Sequence, residues 1–310
     1  MSLPARALRP LVSRAYAFKR RHRIGERFLA RHPALLQALM ALLRPFKSRS
    51  IVDVHSHVLE VDAADYLGLT INRVYEPELT RFFERSVRSG QTAIDLGAHI
   101  GYFTLLFAQL VGPEGCVVAF EPDDENFEIL KRNVQANGYA NVALRRQAVA
   151  DRSGRTLLYR SPVNSGDHRL VDDGAREAVE VEVVALDEVL PQLRGVVQWI
   201  KLDVQGAELA ALRGMRSLID SCPELTIVTE YWPRALAEFG EEPSDLFALL
   251  RPLGFDINEL LADGTLRATS AEDVFARVTV EDGTYVSVVF SKPAVELSPA
   301  ALVTDSPVAP

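Results

Sequence analysis

Cysteine and long apolar runs are both scarce in this chain of 310 residues. Cys116 and Cys222 are its only cysteines, which excludes a disulfide framework and a zinc site built from thiolates. The longest apolar run, residues 34–43, is interrupted by Gln37, whereas a membrane-spanning helix takes about 20 apolar residues. We therefore expect a cytoplasmic protein without a spanning segment.

Acidic residues are scarce only at the start of the chain. Residues 1–50 contain 12 Lys and Arg and one acid, Glu26, while the rest contains 22 bases and 41 acids. Apolar residues recur there at helical spacing, so we predict a basic helical extension that docks on an anionic membrane surface, leaving the protein peripheral at the membrane. An arm packed against the protein's own acidic body is the alternative. Nucleic acid is not expected as a partner, because the acidic body would repel phosphates.

The rest of the chain is predicted to be one catalytic domain, residues 51–292, followed by a disordered tail, residues 293–310, with four prolines. Strand and helix patterns alternate through the domain, which favours an α/β fold with a mostly parallel sheet. The predicted strands are 92–96, 116–120, 142–149, 196–203 and 225–231, and the predicted helices include 102–111, 123–137 and 208–219.

Two departures from this alternation are predicted. Residues 155–159 and 179–184 read as a short antiparallel excursion. Near the end, apolar spans at 255–261, 275–280 and 285–291 are separated by turn signals, Asp-Gly pairs among them, which predicts an antiparallel hairpin that closes the sheet.

The strongest motif is Ile94-Asp95-Leu96-Gly97-Ala98-His99-Ile100-Gly101-Tyr102, where a strand gives way to a helix. Its two glycines allow a tight turn, and the helix N-terminus beyond suits the carboxylate of a methionine moiety. In this interpretation Asp95 receives the amino group or a water, and Glu121, at the next strand end, accepts both ribose hydroxyls. A dinucleotide fingerprint, G-x-G-x-x-G from Gly97, would need glycines at positions 99 and 102, which are His and Tyr. The spacing thus favours S-adenosylmethionine.

Several separated segments resemble the FkbM-type methyltransferases: YEPELTRFF, IDLGAHIGYFT, VVAFEP, LKRNVQANG, QAVAD and WIKLDVQGAE. The resemblance covers about residues 75–231. It implies a class I, Rossmann-like fold with a seven-stranded sheet, S-adenosylmethionine as donor, and O-methylation of a hydroxyl on a sugar, glycan, glycolipid or polyketide-like acceptor. His99 departs from the asparagine expected there. The predicted cofactor-binding residues are Asp95, Gly97, Ala98, His99, Gly101, Glu121 and Gln147.

The catalytic end of the site is predicted at Trp199-Ile200-Lys201-Leu202-Asp203. Methyl transfer needs an aligned hydroxyl and a group that takes its proton, and Asp203 lies at the predicted strand tip. We favour Asp203 as the general base or acceptor-orienting group. The alternative is an ion pair in which Asp203 or Glu208 only satisfies the buried Lys201 amine. Glu230, at the end of the neighbouring strand, is expected to converge with Asp203 and Glu208.

Two further hypotheses concern the loop at residues 164–168. His168 could replace Asp203 as the base, although a loop histidine is more often a surface residue. Asp167, Asp203 and Glu230 could also hold a divalent cation, which the spacing neither supports nor excludes.

Two other function classes stay open at this point. Asp53, His55 and His57 form the D-x-H-x-H pattern that opens the metal site of amidohydrolase-like enzymes, but few histidines follow to complete it. A scaffold that retains the methyltransferase fold without catalysis is the other alternative. The intact set of Gly97, Gly101 and Glu121 argues against it.

Overall fold

The computed structural model describes residues 51–292 except 63, 64, 66, 163, 173 and 175. The predicted basic extension, residues 1–50, and the predicted tail, residues 293–310, lie outside the described residues. The chain divides into two compact units between Tyr75 and Glu76. The predicted start of the catalytic domain at residue 51 stays a prediction.

The described part of the first unit is a small hairpin followed by one turn of helix. Strands β1 (Ile51–Val54) and β2 (His57–Glu60) pair antiparallel, and helix α1 spans Leu69–Asn72. His55 and Ser56 form the connection between the two strands. Both have positive φ, which the commonest type of two-residue hairpin turn requires because it matches the twist of the strands.

The second unit is built on a large sheet, accompanied by a small one. Its strands are β3 (Thr92–Leu96), β4 (Cys116–Phe120), β5 (Val142–Arg145), β6 (Ala148–Val149), β7 (Gly154–Arg160), β8 (Glu177–Val184), β9 (Trp199–Leu202), β10 (Leu225–Tyr231), β11 (Asp256–Leu260), β12 (Leu266–Ala268) and β13 (Val286–Lys292). The large sheet has the order β12-β11-β13-β10-β9-β3-β4-β5. Five consecutive strands, β10, β9, β3, β4 and the edge strand β5, run parallel.

Helices connect these strands. They are α2 (Pro77–Ser86), α3 (Tyr102–Val111), α4 (Asp124–Ala136), α5 (Leu186–Val189), α6 (Glu208–Gly214), α7 (Arg216–Ser221), α8 (Pro233–Glu238), α9 (Asp245–Leu250) and α10 (Ala271–Phe275), with 3-10 turns at Pro191–Leu193 and Arg251–Leu253. Among the described residues, none of the helices combines the length and hydropathy that crossing a membrane requires.

The predicted fold class is confirmed, with one addition. β13 runs antiparallel between β10 and β11, which is the antiparallel closure of the sheet that the sequence predicted. β12 adds a short eighth strand at the edge. The predicted excursion is also confirmed, because β7 and β8 pair antiparallel and β6 joins them in a separate three-stranded sheet. Strands β3, β4, β9 and β10 are buried along nearly their whole length, as helix-covered sheets require, whereas the edge strand β5 is partly exposed.

Three predicted elements differ in the structure. The strand expected at 142–149 is two strands, because the chain leaves β5 after Arg145 and joins the small sheet as β6. The helix expected at 208–219 is broken at Met215 into α6 and α7. The span 275–280 is not a strand, since Phe275 ends α10; its side chain packs against Tyr231 and Phe247.

Candidate active site

The loop between β3 and α3 turns through three positions in the left-handed region. Gly97 has φ 78°, His99 has φ 51° and Gly101 has φ 95°. The N–H groups of Gly97 and Ala98 donate to the carbonyl of Phe120 at 3.0 and 2.9 Å, which ties the loop to the end of β4. Gly101 then serves as the N-cap of α3, so the positive end of this helix lies at the loop.

The two glycines are needed for packing within the protein. A Cβ on Gly97 would lie 1.9 Å from the carbonyl oxygen of Asp203, and one on Gly101 would lie 2.5 Å from Cδ1 of Leu130. The sequence indicated that these glycines allow a tight turn. The structure adds a second reason at Gly97, because a side chain there would displace the backbone of Asp203.

Glu121 follows β4 and is buried, with 5% of its surface exposed. One carboxylate oxygen accepts from the His99 N–H at 2.8 Å and the other from the Asp123 N–H at 3.0 Å. Burial raises the pKa of Glu121 to about 8, although these two backbone hydrogen bonds act in the opposite direction. Each carboxylate oxygen can accept more than one hydrogen bond, so the group can still receive two hydroxyls.

A polar loop lies against the His99 and Glu121 side of the site. Nε2 of His99 is 2.9 Å from Oγ of Ser165, and the Asn126 amide donates to the Ser165 carbonyl at 2.9 Å. Asn126 belongs to the first turn of α4 and also hydrogen-bonds Glu121. The loop at residues 164–168 thus contacts His99, one of the predicted cofactor-binding residues.

His168 lies in the same loop, beside the end of β7 and the N-terminus of α4. Its Nδ1 accepts from the Ser161 N–H at 3.1 Å, and its Nε2 is 3.9 Å from the carboxylate of Asp123. Asp123 caps α4 and also pairs with Arg160. Burial lowers the pKa of His168, so the ring is mainly neutral at pH 7.

A buried charged cluster joins the ends of β3 and β9. Nζ of Lys201 lies 3.3 Å from Oδ2 of Asp203 and 3.7 Å from Oδ1 of Asp95. The Thr104 hydroxyl donates to the other oxygen of Asp95 at 2.6 Å. Asp95 has no exposed surface, whereas 22% of the Asp203 side chain is exposed. Asp203 is therefore the carboxylate of this pair that a substrate can reach.

The protonation of the cluster follows from competing effects. Burial alone would lower the pKa of Lys201, but the carboxylates of Asp203, Asp95 and Glu76 outweigh it and hold that pKa above its usual value. Burial raises the pKa of Asp95, against the attraction of Lys201 and the hydrogen bond from Thr104. Lys201 is therefore a permanent cation beside Asp203.

Glu208 has a structural contact that the sequence did not indicate. Its carboxylate accepts from the N–H groups of Val204 and Gly206, which closes the turn between β9 and α6. Burial raises its pKa to about 7. Lys201 pairs with Asp203 and Asp95, so the ion pair predicted as the alternative is present, with Asp203 rather than Glu208 as the partner.

The remaining predicted residues are dispersed. Glu230 is half-buried near the end of β10, opposite Ser287 of β13. The Gln147 amide donates to the Glu182 carboxylate of β8 at 2.7 Å. Asp167 pairs with Arg169 and Arg176. In the described part of the chain, no three His, Cys, Asp or Glu side chains are grouped so that they could hold a metal ion, so the suggested Asp167, Asp203 and Glu230 set is not assembled.

The hydrolase alternative fails on backbone geometry. Asp53 lies in β1, His55 in the turn and His57 in β2, so the two histidines do not share the face of one strand. Burial, followed by the nearby His55, lowers the pKa of His57 to about 4. Because a turn separates them, these three residues do not form the metal-binding strand that the pattern suggested.

Some residues of the site were not predicted from the sequence. Glu76, Thr104, Asn126 and Ser165 all contact or electrostatically influence the predicted set. For Asn126 the signal was available, since a polar residue in the first turn of a helix after a strand end faces the same edge of the sheet. Glu76 lies in the YEPELTRFF segment, but nothing in that local pattern indicates that it acts on Lys201.

Comparison with known protein families shows to which family the chain belongs. A family model described as the methyltransferase FkbM domain matches residues 95–257, more than half of the chain. The chain belongs to the FkbM methyltransferase family. The matched region includes the glycine loop, Glu121 and the Lys201 cluster, but it excludes Glu76.

Three relatives illustrate the range of similarity. Methyltransferase sdnD of Sordaria araneosa is 28% identical over 220 residues, covering 60% of this chain and 79% of that protein. Methyltransferase 1 of Beauveria bassiana is 27% identical over 143 residues, covering 39% and 57%. Protein-L-isoaspartate O-methyltransferase 1 of Archaeoglobus fulgidus is 40% identical over 58 residues, covering 19% and 27%. The chain thus spans about a quarter to four fifths of these relatives.

The methyl donor of this FkbM-family methyltransferase is S-adenosylmethionine, and the residues present fit it. Glu121 offers a buried carboxylate for two vicinal hydroxyls, as a ribose requires. The N-terminus of α3, after Gly101, offers positive potential for a carboxylate, as an amino acid moiety requires. Asp95 has no exposed surface, and its contact with the amino group or a water stays a prediction.

Proposed function

We propose that this methyltransferase transfers the methyl group to a hydroxyl oxygen of a sugar, glycan, glycolipid or polyketide-like acceptor. The observation that carries the proposal is Asp203, a partly exposed carboxylate beside the glycine loop and held by a buried lysine. A weakly acidic hydroxyl is a poor nucleophile while it keeps its proton, so its methylation needs a general base that takes this proton. A more nucleophilic acceptor would depend less on such a base.

The roles follow from the contacts of the cluster. The donor supplies an electrophilic methyl group on a sulfonium. Asp203 accepts the hydrogen bond of the acceptor hydroxyl and takes its proton as the new C–O bond forms, while the S–C bond breaks and leaves a neutral thioether. Lys201 at 3.3 Å and the Gln205 amide hold the Asp203 carboxylate in place. Alignment of the oxygen with the methyl group accounts for most of the acceleration.

The acceptor side is proposed at the end of β10. Trp232 directly follows this strand, with the Arg169 guanidinium 4.5 Å from its ring centroid and the Tyr285 ring 6.4 Å away. Glu230 precedes it by two residues and is proposed as a second acceptor contact. Aromatic rings with a few polar groups are typical of sites that orient small organic acceptors.

Untargeted mass spectrometry of a deletion strain tests the acceptor class. Loss of the gene should give glycans, glycolipids or polyketide-like molecules that are lighter by one methylene, with a free hydroxyl in place of a methoxy group. Complementation with the wild-type gene should restore the heavier species, and complementation with Asp203→Asn should not. If the changed species carries an N-methyl or C-methyl group instead, the O-methylation proposal is wrong.

We propose further that residues 1–50 dock the protein, located in the cytoplasm, on an anionic membrane surface. The support is the charge of this segment, 12 Lys and Arg against one acid, beside a body with an excess of acids. Each basic residue near such a surface contributes about 1 kcal/mol, an attraction that salt screens.

Liposome flotation tests this docking. Wild-type protein should float with anionic vesicles but not with neutral ones, and it should lose this behaviour in high salt and on deletion of residues 1–50. Protein that stays at the bottom with anionic vesicles at low salt would contradict the proposal and favour an arm that packs on the acidic body.

A further inference from the structure

The turn between β9 and α6, residues 203–207, has an unusual backbone conformation. Gln205 has φ 53° and Gly206 has φ 110°. A residue with a side chain adopts the left-handed region at a cost, so this conformation persists only where the surroundings hold it. A Cβ on Gly206 would lie 2.7 Å from the carbonyl oxygen of Ala235, so the turn packs closely against α8. The surroundings therefore hold this turn in a specific conformation.

Glu208 is a side chain that holds the turn from inside the protein. It is the first residue of α6, and only 3% of its surface is exposed. Its carboxylate accepts from the Val204 N–H at 3.1 Å and from the Gly206 N–H at 2.9 Å, so it bonds the residues on both sides of Gln205. Burial raises the pKa of Glu208 to about 7, although these hydrogen bonds act in the opposite direction. A buried acid that is kept at such a cost is typical of functional sites.

The turn also places one of the two side chains that hold the Asp203 carboxylate. Nε2 of Gln205 donates to Oδ1 of Asp203 at 2.5 Å, and Nζ of Lys201 lies 3.3 Å from Oδ2. The backbone of Asp203 is fixed by the sheet, because its N–H donates to the Leu96 carbonyl at 3.1 Å. Lys201 belongs to β9 and is fixed in the same way. Of these contacts, the one from Gln205 depends on the conformation of the turn.

We propose that Glu208 is a positioning residue that, through the turn and Gln205, holds the Asp203 carboxylate in the orientation that takes the acceptor proton. The proposal rests on the proposed function, in which Asp203 is the general base. Glu208 acts on the backbone of the turn and not on the reacting atoms. Without its carboxylate the turn relaxes and Gln205 withdraws from Asp203. The base can then rotate away from the acceptor, and a small misplacement of this kind lowers a rate by up to about a hundredfold.

A double-mutant cycle with Glu208→Gln and Gln205→Ala tests the proposal. The measured quantity is the initial rate of transfer of labelled methyl groups from saturating S-adenosylmethionine to a glycan and lipid extract of the deletion strain. Rates are divided by the number of sites that bind S-adenosylhomocysteine, so that only folded protein is counted. Glu208→Gln replaces one carboxylate oxygen by an amide nitrogen, which cannot accept a hydrogen bond. Each single variant should lower the rate by about ten- to a hundredfold.

The double variant distinguishes a positioning role from a structural one. If Glu208 acts through Gln205, the double variant should be no slower than the slower single variant, whereas independent effects would multiply. The affinity for S-adenosylhomocysteine should stay as in the wild type in all three variants. Glu188→Gln, the same change at an exposed position in the first turn of α5, should leave both the rate and the affinity unchanged.

Each other outcome has a definite meaning. A wild-type rate in Glu208→Gln, or effects that multiply in the double variant, would overturn the positioning role. A fall in S-adenosylhomocysteine affinity in step with the rate would also overturn it, because Glu208 would then serve the glycine loop. If Glu208→Gln does not fold, Glu208→Asp takes its place in the cycle, since this variant keeps the charge but shortens its reach.

Asp203→Asn separates these outcomes from a failure of the proposed function. If that variant keeps the wild-type rate with the same extract, Asp203 is not the general base and the proposed function fails with it. A slow Asp203→Asn together with an unaffected Glu208→Gln refutes the positioning role alone.

Discussion

Asp203→Asn is expected to lower turnover by about a hundredfold or more while donor binding survives. An amide cannot take the proton of the acceptor hydroxyl, but it keeps the size of the carboxylate and can still accept a hydrogen bond from Lys201 or Gln205. The measurement is methyl transfer at saturating donor, with S-adenosylhomocysteine affinity determined on the same preparation. The matched control is Asp220→Asn, which removes an exposed carboxylate of α7 and should leave turnover unchanged.

Two results would change the assignment of the base. If Asp203→Asn retains activity and His168→Ala abolishes it, the histidine in the loop beside Asp123 is the base. If a chelator abolishes wild-type activity and magnesium restores it, the carboxylates act as metal ligands. If both variants retain activity, neither Asp203 nor His168 is the general base.

Glu121→Ala is expected to weaken donor binding by about 1 to 3 kcal/mol, or about 5- to 150-fold. The substitution removes the carboxylate proposed to accept the ribose hydroxyls, and it also leaves the His99 and Asp123 N–H groups without this acceptor. Thermal denaturation of the ligand-free variant separates a loss of fold from a loss of affinity. An unchanged dissociation constant would show that Glu121 does not contact the donor.

The same residue predicts how donor affinity depends on pH. Burial raises the pKa of Glu121 to about 8, so the free protein holds the carboxyl protonated below that pH. Hydroxyl donors bind the carboxylate better than the acid, so binding must release this proton. Affinity should therefore rise with pH, by at most about tenfold per unit, and level off above about pH 8. In Glu121→Gln this dependence should be absent.

Local signals explain which elements could be predicted from the sequence. Strand β4 and helix α3 have the predicted bounds, because each is a continuous apolar pattern with clear ends: β4 lies between Gly115 and Pro122, and α3 lies between Gly101 and Gly112. Helix α4 begins after Asp123, whose side chain accepts from two N–H groups, and ends at Asn137, as its capping residues indicated. Where capping and periodicity agree, the sequence alone is sufficient.

Elements that depend on tertiary contacts could not be predicted in the same way. The apolar span at 275–280 has the composition of a strand. Phe275 nevertheless ends a helix, and its ring packs on the ring of Phe247. Met215, where the predicted helix is broken, is itself neither glycine nor proline. Gly214, beside it, has no room for a Cβ, which would lie 1.9 Å from the carbonyl oxygen of Ala150. Such close approaches between distant segments are not visible in a local pattern.

Individual residues of the site could be predicted from the sequence, but the contacts between them could not. Glu121 and Asp203 follow from the rule that functional groups lie at the carboxyl ends of parallel strands. The contact of Lys201 with Asp95 follows from the register of β9 against β3, which pairs these two residues, and the sequence does not contain that register. Glu76 comes from a helix that precedes the first strand of the large sheet, so only the folded chain brings it to Lys201.

Equilibrium dialysis with radiolabelled S-adenosylmethionine is the most direct test that the glycine loop and Glu121 form the donor site. We predict saturable binding of about one molecule per chain to the wild-type protein, displaced by S-adenosylhomocysteine and weakened in a folded Glu121→Ala variant. A wild-type protein that binds no donor would instead support the non-catalytic scaffold, and a Glu121→Ala variant that binds as well as the wild type would contradict the site.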